Sequence, residues 1–185
     1  TVEGEDVWQV ERFLVSQGLM LSLAGVPALY YNSLLAAPND YVGLAETGRN
    51  RTINRTKWSS EHINARLSDP GGAPARVLTT LSTMLRVRQA QDAFHPEAGQ
   101  QCVSVDPRVF VVWRTSATTG QRVLCINNLS RSPVTLSTTA LQLPASFEPN
   151  ILFSSGDVSL EDQMVSLAPY TVSWVEVTPD GHASP

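Results

Sequence analysis

Lysine is almost missing from this chain. Lys57 is the single lysine among 13 basic residues, and the net charge of −4 is spread along 185 residues. No basic stripe marks a nucleic-acid partner, and no acidic tail marks a solvating role. Cysteine is equally scarce. Cys102 and Cys125 lie in no CxxC pair and near no histidine cluster, which excludes a zinc site. They are either bridged in a secreted protein or two reduced strand thiols in a cytoplasmic one, and the second reading is preferred. Long hydrophobic runs are missing too. Residues 13–38 carry no charge, but Ser16, Gln17, Ser22, Gly25 and Pro27 break them into a helical half and a strand-like half. Neither half reaches the about 20 apolar residues of a membrane span. Glu3, Glu5 and Asp6 stand where a signal peptide would need basic residues, so a cytoplasmic location is expected. Ser16, Ser33 and Ser154 lack the Gly-x-Ser-x-Gly elbow, which argues against a serine hydrolase. No cofactor, internal repeat or low-complexity tract is indicated. Three sequons, at Asn50, Asn54 and Asn128, are short enough to arise by chance.

What is present divides in two. A helix is expected over residues 5–23, with Val7, Val10, Leu14, Gln17 and Leu21 on one face. Gly25 and Pro27 stop it, and residues 26–31 read as a strand covered on both faces. Residues 32–74 are punctuated by turn signals, with a short helix near 59–67 opened by a Ser59 cap. A second strong helix is expected over 75–94, striped by Val77, Leu78, Leu81, Met84 and Leu85. From Gln101 onward the texture changes to short β-rich runs at 102–105, 109–115, 123–126, 134–136, 151–153, 164–167 and 171–177. Such spacing implies an antiparallel sandwich or barrel-like sheet, and the final residues 179–185 are expected to fray. The boundary falls near residues 94–100. The expected fold is therefore an α/β fragment (last strand and flanking helices of a TIM-type barrel) followed by an all-β antiparallel sandwich domain. An apolar strand that delivers an arginine-rich loop is how a (β/α)8 barrel builds its active-site rim, yet one strand cannot close a barrel.

Several segments carry a resemblance. Phe13-Leu14-Val15-Ser16-Gln17-Gly18-Leu19-Met20-Leu21-Ser22-Leu23, Gly25-Val26-Pro27-Ala28-Leu29-Tyr30-Tyr31, Ser33-Leu34-Leu35, Asn39-Asp40, Gly48-Arg49 and Ile53-Asn54-Arg55 look like the last part of the α-amylase superfamily barrel (glycoside hydrolase family 13). The Gly-Val-Pro strand with a downstream Ile-Asn-Arg is most similar to the sucrose phosphorylase branch, which includes phosphorylases of glucosylglycerate. The resemblance implies that residues 1–96 are the C-terminal part of a (β/α)8 barrel with the active-site rim loop 32–58. It implies that residues 97–185 are the β-sandwich C-terminal domain. It further implies a retaining glucosyl transfer from a sucrose-like glucoside to phosphate, through two carboxyls about 5 Å apart. Neither carboxyl has a match in this chain, and Asp40 and Glu46 cannot be assigned to those roles.

By the same resemblance Arg55 contacts the glucosyl unit; the alternative is a salt bridge that only closes the barrel. A guanidinium presents donors in a fixed plane and suits vicinal hydroxyls or a carboxylate. Arg49 and Arg51 hold phosphate or an anionic acceptor such as glycerate, or are solvated loop charges. Asn54 orients Arg55 or caps the local turn, the latter being preferred. Tyr30, Tyr31 and Asn32 line a pocket floor or pack. His62 and His95 have no catalytic companion at useful spacing. The expected partners are a glucoside, inorganic phosphate and the remainder of the barrel. The lone strand's need for neighbours also suggests a homo-oligomer. The competing function is a non-catalytic carbohydrate-binding or structural module, carried by exposed aromatics such as Trp113 or Trp174 on a sheet face.

Overall fold

A computed structural model of the chain describes residues 6–161 and 163–179. It divides into two compact units: Thr1–Pro27 with Met84–Pro185, and Ala28–Thr83.

The first unit is dominated by β-branched and aromatic runs, which pair as eight antiparallel strands: β1 (Gly99–Val103), β2 (Val109–Thr115), β3 (Arg122–Asn128), β4 (Val134–Ser137), β5 (Phe147–Ser154), β6 (Val158–Glu161), β7 (Met164–Leu167) and β8 (Val172–Pro179). Five form one sheet in the order β1-β2-β3-β8-β5, and three form another in the order β4-β7-β6. Alternation does the rest. Val109, Val111, Trp113, Leu124, Ile126, Val175 and Val177 from the larger sheet share a buried core with Val134, Leu136, Val165 and Leu167 from the smaller one. Trp113 is 2% exposed, and its indole N–H donates to the Leu141 carbonyl at 3.0 Å.

The other face of the larger sheet is apolar too. Cys102, Val112, Cys125 and Trp174 stand in one cross-strand row. Helix α1 (Gln9–Ser22) contacts β2, β3 and β8, and buries Leu14, Val15, Gly18, Leu21 and Ser22. Gly18 permits the close approach, because a Cβ there would lie 2.4 Å from Cγ2 of Val172. Trp174 is completely buried between the rings of Phe94 and Phe153, and its indole N–H donates to Ser22 Oγ at 3.0 Å. Cys102 and Cys125 are unbridged. They sit two strands apart, about 10 Å at sheet spacing and beyond the reach of a disulfide.

Several expectations need correction. The strand over residues 26–31 does not form. Residues 26–30 are extended without a ladder partner, and a short helix α2 (Tyr31–Leu34) follows. Val26 is 82% exposed. An apolar run becomes a strand only when neighbours accept and donate its hydrogen bonds, and none does so among the described residues. The barrel part of the expected fold is therefore not evident; the shown fold is a β-rich sheet domain with accompanying helices. Val7 lies outside α1 and is exposed, so the buried face runs through Leu14, Gly18 and Leu21. The aromatic platform of the carbohydrate-binding module is also absent at Trp113 and Trp174, since both fill cores. The Asn128 sequon is closed to modification in the fold, because this side chain is buried and its amide donates to the carbonyls of Ser132 and Ala168. Apart from Pro179, which ends β8, the fraying expected over 179–185 lies outside the described residues. Among the described residues no helix is long and apolar enough to cross a membrane.

The second unit is helical. It holds α2, then α3 (Tyr41–Thr47), a 3-10 turn Asn50–Asn54, α4 (Ser60–Leu67), and the start of α5 (Ala73–Gln89). The stretch read as irregular is thus mostly short helices. Asp40 caps α3 by accepting from the Gly43 N–H at 2.8 Å, and Ser59 caps α4 by accepting from the His62 N–H at 3.2 Å.

Candidate functional site

The arginine-rich segment lies wholly in the helical unit. Local chemistry sets its path. The 3-10 turn is closed by Thr52 N–H donating to the Arg49 carbonyl at 2.8 Å and Arg55 N–H donating to the Thr52 carbonyl at 3.0 Å. The Thr47 and Thr52 hydroxyls meet at 2.9 Å, and the Asp40 N–H donates to the Ile53 carbonyl at 2.6 Å, which ties the turn to α3.

Asn32 anchors the far side. It is 4% exposed, and its Nδ2 donates to the carbonyls of Asn54 and Thr56, both at 3.2 Å. Its Oδ1 accepts from Trp58 Nε1 at 2.9 Å. The Arg66 guanidinium then lies 4.7 Å over the Trp58 ring and donates to the carbonyls of Leu35 and Ala36. Both amide donors of Asn32 and its oxygen are therefore engaged in fixing residues 54–58, which include Arg55.

A cleft of about 470 Å³ opens on this turn, lined by Tyr30, Asn50, Arg51, Ile53, Asn54 and Arg55. Of the residues singled out from sequence, Arg51, Asn54 and Arg55 come together here, and Arg49 does not line the cleft. All four are exposed. Among the described residues no carboxylate pairs with Arg49, Arg51 or Arg55, so the salt-bridge alternative for Arg55 has no partner within them. Asn54 serves the local scaffold through its carbonyl. Tyr30 belongs to the cleft, and its phenol is shifted up by desolvation and by its neighbour Tyr31, against the opposing charge of Arg55. Tyr31 donates to the Thr56 carbonyl at 3.3 Å.

Among the described residues the cleft carries positive charge and amide and phenol groups but no acid. It can bind hydroxyls and oxyanions; it supplies no nucleophile or proton donor of the carboxylic kind. Asp40 is committed to its cap. His62 and His95 both have local structural contacts: His62 Nδ1 lies 3.3 Å from Ser59 Oγ, and His95 Nδ1 accepts from the Glu97 N–H. Asn32, expected with Tyr30 and Tyr31 to line a pocket floor or pack, is not among the cleft's lining residues and instead positions the turn. Its only signal was a polar residue beside two tyrosines at the end of an apolar run.

No family model matches the chain. It is 36% identical over 135 residues to a glucosylglycerate phosphorylase of Allomeiothermus silvanus, which covers 73% of this chain and 24% of that protein. It is 31% identical over 84 residues to a sucrose phosphorylase of Bifidobacterium adolescentis, covering 45% of this chain and 16% of that protein. The chain thus spans about a quarter or less of the length of these relatives. Among solved structures, an α-amylase from H. orenii superposes with a TM-score of 0.64 over 91% of this chain and 36% of that one, at 15% identity, a likeness of fold. The chain belongs to the family of glucosylglycerate and sucrose phosphorylases, corresponds to a C-terminal portion of its members, and shares its fold with the α-amylase.

Proposed function

We propose that this chain is the C-terminal portion of a retaining glucosyl phosphorylase, and that its arginine turn forms part of the substrate rim. The observation that carries the reading is the cleft at Arg51 and Arg55, whose guanidinium groups meet no carboxylate among the described residues, in a chain 36% identical to a glucosylglycerate phosphorylase. In this reading residues 1–96 contribute to a (β/α)8 barrel, with residues 26–31 pairing as a strand once the other strands are supplied. Residues 97–185 form the sandwich that packs beside it. The nucleophile and the acid/base carboxyl come from the remainder of the protein.

The reaction proceeds in two displacements. The nucleophilic carboxylate attacks the anomeric carbon, the bond from that carbon to the acceptor oxygen breaks, and the second carboxyl protonates the departing oxygen. Phosphate then attacks the same carbon from the face the acceptor left, expelling the carboxylate and giving glucose 1-phosphate with retained configuration. Arg55 holds sugar hydroxyls. Arg49 and Arg51 suit the dianion of phosphate or the carboxylate of a glyceryl acceptor. The greater likeness to a glucosylglycerate phosphorylase, 36% over 135 residues against 31% over 84 for a sucrose phosphorylase, favours a glucosylglycerate-type donor over sucrose. Two unbridged cysteines and a phosphate acceptor suit the cytoplasm.

The experiment assays the complete protein for glucose 1-phosphate release from glucosylglycerate and from sucrose in phosphate buffer. Turnover is expected with the first. Arg55→Ala should lower kcat/KM by about 10- to 100-fold, the weight of a charge-assisted hydrogen bond, and Arg55→Lys should not restore it fully. Turnover by the 185-residue chain alone, or wild-type rates in Arg55→Ala, refutes the reading.

A further inference from the structure

The sheet-bearing unit buries two guanidinium groups, and neither meets a carboxylate among the described residues. Arg114, fully buried, is answered by neutral acceptors. Its Nε donates to the Ala93 carbonyl, its Nη2 to the carbonyls of His95 and Ala98, and its Nη1 to Gln100 Oε1. Arg88 is not so well answered. It is 7% exposed, its Nη2 donates to the Gly25 carbonyl at 2.9 Å, and its guanidinium stands 5.1 Å from the Phe94 ring centroid. Its Nη1 is buried and has no hydrogen-bond partner among the described residues. Burial pulls the proton affinity of Arg88 down, and the charge of Arg114 pulls it down further. A buried cation left in that state is strongly destabilising unless a counter-charge reaches it.

A cleft of about 400 Å³ opens at this residue, with Gly25, Val26, Leu85, Asp92 and Phe94 among its walls. Val26, 82% exposed, stands beside it on the extended run that has no strand partner. Asp92 lines the cleft but forms no ion pair with Arg88. We propose that this cleft receives the carboxylate of an aspartate or glutamate carried by the part of the longer protein outside these 185 residues, bonded to Arg88 Nη1. The inference rests on the phosphorylase reading above, in which most of the protein lies outside this chain; the A. silvanus relative is matched over only 24% of its length. Charge complementarity selects an acid. The apolar walls of Val26, Leu85 and Phe94 suit the methylenes of a side chain better than a hydrated free anion.

The test is a crystal structure of the complete protein, followed by a double-mutant cycle on the pair it reveals. A carboxylate oxygen from outside this chain is expected about 2.9 Å from Arg88 Nη1. In thermal unfolding, Arg88→Met and the acid's amide variant should each lower Tm, and the double variant should lose no more than the worse single. Where Arg88→Met does not fold, Arg88→Lys is read in the same cycle. A main-chain carbonyl, a free anion, Asp92 or water on Nη1 overturns the proposal, as does additive loss of Tm. A complete protein that forms glucose 1-phosphate but leaves Arg88 without an outside acid refutes this inference alone. A complete protein that lacks that activity refutes the phosphorylase reading on which it rests.

Discussion

Replacing Gly18 by alanine is the sharpest test of how α1 sits on the larger sheet. In an exposed helix the change would stabilise, by about 1 kcal/mol of propensity. Here the added methyl would lie 2.4 Å from Cγ2, 2.9 Å from Cγ1 and 3.2 Å from Cβ of Val172. Carbon atoms rest about 3.5–4.0 Å apart, so a retreat of about 1 Å is required. Val172 cannot easily give way. It is fully buried, β-branched, and paired with Asn127 across the ladder. If the helix retreats instead, Ser22 leaves the Trp174 indole N–H, a buried bond of 3.0 Å. Overpacking of this kind costs about 1–3 kcal/mol. With the propensity gain subtracted, Gly18→Ala should destabilise by up to about 2 kcal/mol, or up to about 8 °C in Tm for a chain of this size. Urea unfolding followed by tryptophan fluorescence measures it. Val172→Ala in the same background should recover part of the loss, a non-additivity that locates the clash. A Gly18→Ala protein more stable than the parent by about 1 kcal/mol, the full propensity gain, would show that the helix does not lie this close to β8.

Thiol chemistry should separate the two cysteines. Cys125 is fully buried, and burial pushes its thiol up to about 12, whereas Cys102 is exposed. A maleimide or disulfide reagent should therefore label Cys102 alone at pH 8 and Cys125 only on unfolding; equal labelling of both in the folded protein would contradict the packing. The folded Cys125 holds its proton more tightly than the unfolded one, so its contribution to stability is complete below about pH 9 and is lost as pH rises towards 12. Asp106 shifts the other way. Hydrogen bonds from the Arg108 side chain and backbone hold its carboxyl at about 2, so its contribution is present above the ordinary carboxylate range and is lost as pH falls through about 2. An NMR titration of Asp106 should show a midpoint that rises towards the ordinary range in Arg108→Ala; an unchanged midpoint would refute the assigned cause.

Most of the sheet was legible because β-branched runs and turn residues are local signals. The runs at 109–115 and 164–167 match β2 and β7 to the residue. β6 was not read, since Val158-Ser159-Leu160-Glu161 is short and takes its identity from pairing with β7. α4 was legible through its Ser59 cap, and α3 carried the same signal in Asp40, which the turn residues around it masked. Residues 26–31 misled for the opposite reason. Their composition is that of a strand, but pairing is a property of neighbours and not of the segment. In the candidate site the arginines were visible by type alone. Asn32 was visible only as a candidate for the pocket floor; its anchoring role was not, because its partners lie 22, 24 and 26 residues further on and no pattern within one element encodes them.

The sheet order has a consequence for synthesis. Of the eight strands described, β8 leaves the ribosome last, yet it lies between β3 and β5. While translation is under way, β3 carries an open edge where β8 will enter, and β5 has no seat at all. A stall or truncation before residue 172 would leave these two edges bare together with the apolar side of α1, a combination prone to intermolecular pairing. Safe assembly of this sheet during synthesis thus turns on how quickly β8 is delivered.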